Sequence, residues 1–210
     1  MRKQVLFALC LMMGTGAMAQ NIKLPAPSND ASMTLVQALE QRHSTRVFSE
    51  KAINDNTLSQ ILWAACGINR PAENKTTAPS AMNAQDIEVY AIRKDGAFLY
   101  VPKDNSLKKV SSKDLRTAVA GSQSFNPLPP LSLVLVSNQA KFGSRAGSAA
   151  REAGMLDVGY VSENISLICT ALGLNNVPRK TMDVTTLQKE LGLPASQLIL
   201  MNHEVGYPKE

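Results

Sequence analysis

The sequence predicts an α+β fold with a mostly antiparallel central sheet flanked by helices. Helical and strand patterns follow one another without the strict alternation that builds parallel sheets. A hairpin signal, Asp95-Gly96, lies between two strand patterns, and tight hairpins join antiparallel strands. The chain has 210 residues. Without a short N-terminal segment, this length corresponds to about one domain, which can bury a substantial core.

Two helices are expected in the first third of the chain. Apolar residues recur at helical spacing over residues 34–42 and again over residues 57–66. Asp55 or Asn56 can cap the start of the second helix, and Gly67 suits its end. The polar residues 68–86 then predict a long loop, and such loops inside compact domains are usually functional or disordered.

The remaining elements follow from periodicity and turn signals. Residues 87–93 and 98–101 alternate as strands do, on either side of the hairpin signal. The apolar run at residues 131–137 is typical of a buried strand, and residues 197–203 predict the final strand. Further helices are expected at residues 113–120, at about residues 146–172 and, capped by Asp183, up to residue 191.

Residues 1–19 have the three parts of a secretory signal peptide. Arg2 and Lys3 are followed by the apolar residues 5–13 and by Ala17-Met18-Ala19, a small-x-small cleavage site. The apolar run is too short to span a bilayer as a helix. We therefore expect an exported protein, periplasmic if the source is a Gram-negative bacterium, without membrane contact after cleavage.

The mature chain is expected to have a flexible leader at residues 20–32 and one domain at residues 33–210. Removal of the signal peptide lowers the net charge from +5 to +3, because the segment carries two basic residues. The remaining basic residues are scattered, without a stripe or interleaved aromatic residues, which argues against nucleic-acid binding.

Two cysteines, Cys66 and Cys169, remain after cleavage. Export permits a disulfide, but both lie in apolar helical patterns, where a free cysteine behaves as a small buried hydrophobe. Buried thiols are therefore favoured, with a disulfide as the alternative. No CxxC motif or Cys/His cluster indicates a metal site, and two histidines are too few to form a ligand set.

Two polar segments carry the candidate site. Residues 42–46, Arg-His-Ser-Thr-Arg, offer two guanidinium groups and a hydroxyl, which suit phosphate oxygens. Residues 79–85, Pro-Ser-Ala-Met-Asn-Ala-Gln, include two carboxamides that can donate and accept along the polar edge of a flat heterocycle. A phosphate at one end and a polar aromatic ring at the other describe flavin mononucleotide (FMN).

Each segment alone also has a plainer explanation. Arg42 and Arg46 could pair with Glu40 and Glu50 at a solvated helix end, since surface charges are common and seldom functional. Residues 79–81 could be an ordinary turn. The order and spacing of the two segments are what favour a functional site.

Five segments in order resemble the nitroreductase family of FMN-dependent flavoproteins. They read RHSTR (42–46), ILWAACGINRP (61–71), APSAMNAQ (78–85), ALGL (171–174) and VGYP (205–208), and they span nearly all of the mature chain. The joint pattern is specific for the family and not for a substrate. The resemblance implies an α+β sandwich and a homodimer with two FMN sites at its interface, each built from both chains.

The resemblance also implies roles for individual residues. Arg42, Ser44 and Arg46 would bind the FMN phosphate and ribityl region, with a contact from His43. The ring edge would be bound by residues of the second segment: Pro79, Ser80, Ala81, Asn83 and Gln85. Two weaker candidates are Arg70, as a cation near the ring, and Lys209, near the phosphate; a surface arginine and a free tail are the alternatives.

The chain departs from familiar members in three places. Gln85 is followed by Asp86-Ile87, where many members continue Pro-Trp. The stretch at residues 177–180 is Val-Pro-Arg-Lys, where many members have an acid-glycine pair whose backbone contacts flavin N5; Pro178 has no N–H to donate. The long C-terminal arm of larger members is absent. The N5 contact and the substrate therefore stay open.

The activity implied by the resemblance is FMN-dependent oxidoreduction without a catalytic side chain, because the flavin carries the chemistry. A reductant such as NAD(P)H would give hydride to flavin N5, and an electron-poor acceptor of the nitroaromatic or quinone type would take the electrons in a second, ping-pong step. No dinucleotide-binding fingerprint is present, so NAD(P)H would bind transiently over the flavin. The alternatives are a flavin or small-ligand binding protein without turnover, and a cofactor-less dimeric scaffold.

Overall fold

The computed structural model describes residues 21–28, 33–123, 125–145 and 149–209. The predicted signal peptide at residues 1–19, and residues 20 and 29–32 of the predicted leader, lie outside the described residues. Within these ranges, no helix has the length and apolar character needed to cross a membrane.

The centre of the molecule is a seven-stranded sheet in which every strand pair is antiparallel. The strands are β1 (Ile22–Lys23), β2 (Ile68–Arg70), β3 (Lys75–Thr76), β4 (Ile87–Arg93), β5 (Gly96–Val101), β6 (Ser106–Ser111), β7 (Leu131–Asn138), β8 (Asn175–Arg179) and β9 (Gln197–Gly206). The order in the large sheet is β1-β6-β5-β4-β7-β9-β8, while β2 and β3 form a separate hairpin. The predicted mostly antiparallel α+β fold is confirmed.

Helices cover both faces of this sheet. They are α1 (Leu35–Gln41), α2 (Asp55–Cys66), α3 (Arg116–Ala120), α4 (Ala150–Ala171) and α5 (Val184–Glu190). Apolar residues of α2 and α4 pack on one face, and those of α3 and α5 pack on the other. In β7, Leu133 and Leu135 point into the first cluster while Val134 and Val136 point into the second. Residues 133–136 of β7 are all apolar because both faces of this strand are buried.

The strands predicted from alternation are confirmed, with small changes at their ends. Four further pieces were not expected: the β2–β3 hairpin inside the predicted loop, and β1, β6 and β8. Strands β6 and β8 are polar, and β8 contains Pro178, which an edge strand tolerates because one side of it makes no ladder bonds. Strand β1 and the buried Leu24 hold part of the predicted leader against β6.

The structure shows which residues cap the helices. Thr34 caps α1 in a reciprocal capping box with Gln37. Asn54 caps α2 through the amide of its third residue, so the prediction that Asp55 or Asn56 caps this helix was wrong. Helix α3 begins three residues later than expected, and Asp183 caps α5 as predicted. The longest helix begins at Ala150, with Ala149 as the residue before it, and residues 146–148 of the expected helix lie outside the described residues.

Both cysteines of the described chain are free and buried, as favoured from the sequence. Cys66 ends α2 and Cys169 lies near the end of α4, each in the core between these helices and the sheet. Burial raises the pKa of the Cys66 thiol to about 12 and also raises the pKa of Cys169. Neither thiol is therefore ionised at neutral pH.

Candidate functional site

The predicted phosphate segment, residues 42–46, leaves the end of α1 and runs beside β8. The backbone N–H of Thr45 donates to the Asn176 carbonyl at 2.9 Å, and the Thr45 hydroxyl accepts from the Asn176 N–H at 3.2 Å. Thr45 therefore faces the sheet, whereas its neighbours Ser44 and Arg46 are exposed. The backbone is fixed and the two candidate side chains are free to bind.

The charges of this segment are only weakly compensated. The Arg42 guanidinium lies 3.8 Å from the Glu163 carboxylate of α4, rather than beside Glu40 or Glu50. Arg46 has no ion-pair partner among the described residues. Burial lowers the pKa of Arg179, and the nearby positive charge of Arg46 lowers it further. Arg179 itself is paired with Glu204, so the weakly compensated charges here are those of Arg42 and Arg46, which an anionic ligand would neutralise.

The C-terminal tail lies next to the chain that leaves this segment. The Ser49 N–H donates to the Tyr207 carbonyl at 2.9 Å, and the Lys51 ammonium lies 4.5 Å from the centre of the Tyr207 ring. Lys209 follows two residues later and is exposed. The His43 ring makes only a local contact, from Nδ1 to the Gln41 carbonyl at 2.7 Å.

The predicted ring segment, residues 79–85, is a tight turn with an unusual backbone. Met82, Asn83 and Gln85 have positive φ angles of 53°, 54° and 48°. Residues other than glycine adopt this left-handed region rarely, because the Cβ atom crowds the backbone. Three such residues within four positions must be held by surrounding interactions.

Side chains around the turn supply those interactions. The Ser80 hydroxyl accepts from the Gln85 N–H at 2.8 Å, and the Gln85 carboxamide donates to the Asn74 carbonyl at 2.7 Å. Both carboxylate oxygens of Asp157 accept from the Ala81 N–H, at 3.0 and 2.9 Å. The Ala81 N–H and one N–H of the Gln85 carboxamide are therefore already used.

Other groups of the ring segment stay open. Asn83 and Pro79 are exposed, and the carboxamide of Asn83 has no hydrogen-bond partner among the described residues. Ser80 accepts through its hydroxyl and can still donate. Arg70, at the end of β2, is exposed and makes one long contact, from Nε to Asn69 at 3.4 Å.

The two segments line different cavities. A cavity of about 290 Å³ lies behind the ring segment, between Ser80 and Gln85 on one side and Cys66 and Tyr100 on the other. A cavity of about 190 Å³ lies at the phosphate segment and is lined by His43 and Thr45 among others. The two cavities share no lining residue. Within one chain, the two segments therefore border separate cavities.

The structure also adds residues that sequence reasoning missed. Asp157 of α4 and Asp86, just before β4, are buried beside the ring segment, and Asn176 of β8 holds the phosphate segment. One signal was available for Asp157: it is a lone acid among the apolar residues at the centre of the longest helical pattern. Pro178 lies opposite His203 in the β8–β9 pairing. Because proline has no backbone N–H, this position has no donor for a flavin ring.

Within the described part of the chain, no group of three or more His, Cys, Asp or Glu side chains is arranged to hold a metal ion. The candidate binding features are therefore the cationic side chains of residues 42–46 and the strained turn at residues 79–85. Fold and site together define an α+β protein of the nitroreductase type.

Comparison with known proteins assigns the family. A structure from Ralstonia eutropha JMP134, provisionally named a nitroreductase, aligns with a TM-score of 0.85; it is 28% identical, and the similarity covers 90% of each chain. A relative from Methanocaldococcus jannaschii, also provisionally named a nitroreductase, is 26% identical over 176 residues, which are 80% of this chain and 88% of the relative.

A chain of the Escherichia coli microcin synthetase complex shares the fold alone, with a TM-score of 0.69 and 17% identity over 98% of this chain and 85% of that one. Residues 39–207 match the profile described as the nitroreductase family. The protein belongs to the nitroreductase family. Membership of this family indicates an oxidoreductase.

Proposed function

We propose that the protein is an FMN-dependent oxidoreductase that acts as a homodimer. The observation that carries the proposal is the pair of polar segments at the positions expected from the family. One segment presents exposed cations with little compensation, and the other is a turn held in a strained backbone. Neither feature is needed to complete the core, which is formed by the sheet and its helices.

The donor set of the first segment fits a phosphate. Arg42 and Arg46 supply guanidinium groups, Ser44 supplies an exposed hydroxyl, and Lys209 starts from a tail tied beside them. Guanidinium groups bind phosphate oxygens with charge-assisted, often bidentate, hydrogen bonds. His43 lines a small cavity beside this segment, and its ring contacts the Gln41 carbonyl. These residues would hold the phosphate and ribityl end of FMN.

The second segment fits the polar edge of a flavin ring. Asn83 offers a free carboxamide that can donate and accept, and Ser80 offers a hydroxyl proton. Pro79, Ala81 and Gln85 would form the surrounding wall, with the Ala81 N–H bound to Asp157 and one carboxamide N–H of Gln85 bound to the Asn74 carbonyl. Arg70 is the candidate cation near the ring, where positive charge favours an electron-rich flavin.

The chemistry that a bound flavin supplies is two-electron transfer at N5, first with a reductant such as NAD(P)H and then with an electron-poor acceptor of the nitroaromatic or quinone type. The chain's own residues bind and orient the cofactor. This role requires no acid or base among them, since the side chains named above act by position and charge.

A second copy of the chain would bring the two segments together. Helix α4 buries one face against the sheet and exposes Leu156 and Tyr160 on the other, with Leu156 68% exposed. Helix α1 packs against α4 and exposes Leu35, Val36 and Leu39. Exposed apolar surface of this extent on two adjoining helices is typical of a protein–protein interface. We assign it to the homodimer, because the two segments border separate cavities in one chain.

The first experiment is a visible absorption spectrum of purified protein, before and after addition of FMN and gel filtration. Retained flavin that NADH bleaches and a quinone reoxidises supports the proposal. Retained flavin without turnover would indicate a binding protein, and no retained flavin would indicate a scaffold that lacks the cofactor. Either result would overturn the oxidoreductase assignment.

The phosphate assignment is tested with Arg42→Ala/Arg46→Ala. Each lost charge-assisted bond should weaken FMN binding by about 1.5–3 kcal/mol, which is at least about tenfold. The matched control, Lys108→Ala/Lys189→Ala, removes the same charge from exposed positions elsewhere. Equal FMN affinity in both double variants would show that the first segment does not hold the phosphate.

The dimer is tested by sedimentation velocity. Leu156→Arg introduces a charge at the centre of the exposed α4 face and should give monomers that lose FMN. The control variant Val184→Arg introduces the same charge at an exposed apolar residue of α5. Because α5 lies away from α1 and α4, this variant should leave the dimer intact. A Leu156→Arg variant that sediments like the unmodified protein would exclude this face from the interface.

We further propose export, with cleavage after Ala19, on the strength of the N-terminal sequence. Mass spectrometry of the protein recovered from cell fractions tests this proposal. A chain beginning at Gln20 in the exported fraction is expected, and an intact N-terminus in the cytoplasmic fraction would contradict it.

A further inference from the structure

A histidine lies in the core between the longest helix and the sheet. His203 of β9 is fully buried, and the buried side chains of Ser162 on α4 and Asn176 on β8 lie on either side of its ring. The ring atom Nε2 is 2.8 Å from the Ser162 hydroxyl oxygen, and Nδ1 is 3.0 Å from the Asn176 side-chain oxygen. These three side chains, which we term the His203 chain, therefore link α4 through β9 to β8.

The hydrogen bonds of the His203 chain have one direction. Burial lowers the pKa of His203 to about 3, so the ring is neutral at neutral pH and has one N–H donor and one acceptor. The Asn176 carboxamide oxygen can only accept, so Nδ1 carries the proton and Nε2 accepts from the Ser162 hydroxyl. The four atoms of these two bonds thus have the partners that buried polar groups require.

The Asn176 carboxamide depends on His203 for its orientation. Its oxygen accepts from the His203 ring, whereas its nitrogen, Nδ2, is buried and has no hydrogen-bond partner among the described residues. A buried donor without a partner costs free energy, so Nδ2 does not stabilise this orientation. The bond from His203 is therefore the polar contact that fixes the Asn176 side chain.

The backbone of Asn176 connects the His203 chain to the phosphate segment, residues 42–46. The Asn176 carbonyl accepts from the Thr45 N–H at 2.9 Å, and the Asn176 N–H donates to the Thr45 hydroxyl at 3.2 Å. Strand β8 lies at the edge of the described sheet, with β9 as its one neighbouring strand. The position of Thr45 therefore depends on how firmly Asn176 is held against β9, and the His203 chain adds a side-chain link to the backbone pairing there.

We propose that the His203 chain positions the phosphate segment, and that His203 is thereby a positioning residue for the phosphate group of the cofactor. His203 acts on the segment through Asn176, whose backbone holds Thr45. The exposed candidates Ser44 and Arg46 lie on either side of Thr45, so their position follows from its position. The role in phosphate binding rests on the proposed function, whereas the hold on Thr45 does not.

The effect of the His203 chain should be selective for the phosphate. The chain ends at Thr45, whereas the ring segment at residues 79–85 is held by separate contacts of Asp157, Ser80 and Gln85. Loss of the chain should therefore weaken the contacts to the phosphate and leave those to the ring. Riboflavin, which has the ring and the ribityl chain of FMN but no phosphate, is the matched ligand.

Two replacements of His203 separate positioning from a general loss of stability. In His203→Asn, the carboxamide takes the place of ring atom Nδ1 and can still donate to Asn176. In His203→Gln, it takes the place of Nε2 and can contact only Ser162. Both variants lose the ring and one of its two hydrogen bonds, so both should be less stable. His203→Gln should lower the ratio of FMN to riboflavin affinity at least about tenfold, the loss of one charge-assisted bond, whereas His203→Asn should retain this ratio.

Exchange of the Thr45 amide proton with deuterium, measured by NMR in the flavin-free protein, tests the hold on the segment directly. Protection of this proton should fall at least about threefold in His203→Gln, as expected when one neutral hydrogen bond is lost, and should be retained in His203→Asn. Asn176→Leu keeps the backbone bonds to Thr45 but has no acceptor for His203. This second variant should show the same two losses as His203→Gln.

The matched control is Ser59→Ala, which removes a buried hydroxyl that donates to the Pro25 carbonyl at 2.6 Å, and it should change neither readout. An unchanged affinity ratio in His203→Gln and Asn176→Leu, with FMN bound, overturns the proposal. An equal fall of this ratio in His203→Asn also overturns it, because that result would show general loosening. If the unmodified protein binds no FMN, the proposed function fails, while exchange at Thr45 still decides whether the His203 chain holds the segment.

Discussion

Replacement of Arg179 by alanine should destabilise the protein by about 3–5 kcal/mol, the usual loss when one partner of a buried ion pair is removed. The Arg179 guanidinium lies 2.7 Å from the buried Glu204 carboxylate. It also donates to the carbonyls of Val119 and Ala120, at 2.8 and 3.1 Å, and to Asn202 at 2.9 Å. The variant would leave a carboxylate and these acceptors buried without a donor, and it would loosen the join of β8 and β9 to α3.

The loss should depend on pH, because the orphaned group is Glu204. Burial is the main cause that raises the pKa of Glu204 from 4.5 to about 7, and the charge of Arg179 opposes this rise. Without Arg179, the pKa of Glu204 should rise further. A raised folded-state pKa means that stability is retained at low pH and lost as pH increases through that pKa. The variant should therefore be closest to the unmodified protein near pH 5 and furthest from it near pH 8.

Urea unfolding at these two pH values measures the effect. Arg151→Ala, an exposed arginine of α4, is the matched control and should change the free energy of unfolding by less than about 0.5 kcal/mol. Glu204→Gln in the Arg179→Ala background removes the buried charge and should abolish the pH dependence of the loss. A loss below about 1 kcal/mol, or an equal loss at both pH values without Glu204→Gln, would refute this account.

Three further predictions concern the core and one helix cap. Gly67→Ala should lower the free energy of unfolding by about 1–3 kcal/mol, as measured by urea unfolding. The reason is that the added Cβ would lie 2.3 Å from the Trp63 ring and 2.7 Å from the Trp63 Cα. An unchanged free energy of unfolding would show that the end of α2 relaxes freely. Native protein should resist iodoacetamide at pH 8, and urea-unfolded protein should be alkylated at Cys66 and Cys169, as read by mass spectrometry; rapid native labelling would contradict their burial. Asn54→Ala should lower the free energy of unfolding by about 0.5–2 kcal/mol through loss of the α2 cap, whereas Asn56→Ala should not.

Local periodicity was sufficient for the regular elements. The alternation at residues 87–93 and the apolar run at 131–137 identified β4 and β7, because each pattern reports which sides of a strand are buried. Periodicity failed for β8, an edge strand that needs little apolar surface, and for β6, a polar strand of which only Ser106 and Leu107 pair with the short edge strand β1. It also failed for β1, whose two residues are too few to show a pattern and are defined only by pairing with β6.

The candidate site, like the fold, was predicted from the sequence only in part. Chemistry within a few residues can be recognised from sequence, so the sequence alone predicted residues 42–46 and 79–85 as the two candidate binding segments. Whether two distant segments meet depends on how the whole chain closes. Only the tertiary structure placed them in separate cavities and left apolar faces of α1 and α4 exposed. It alone joined the Ala81 N–H to the Asp157 carboxyl group, 76 residues further along the chain, because only the packed chain decides which acceptor a backbone N–H meets.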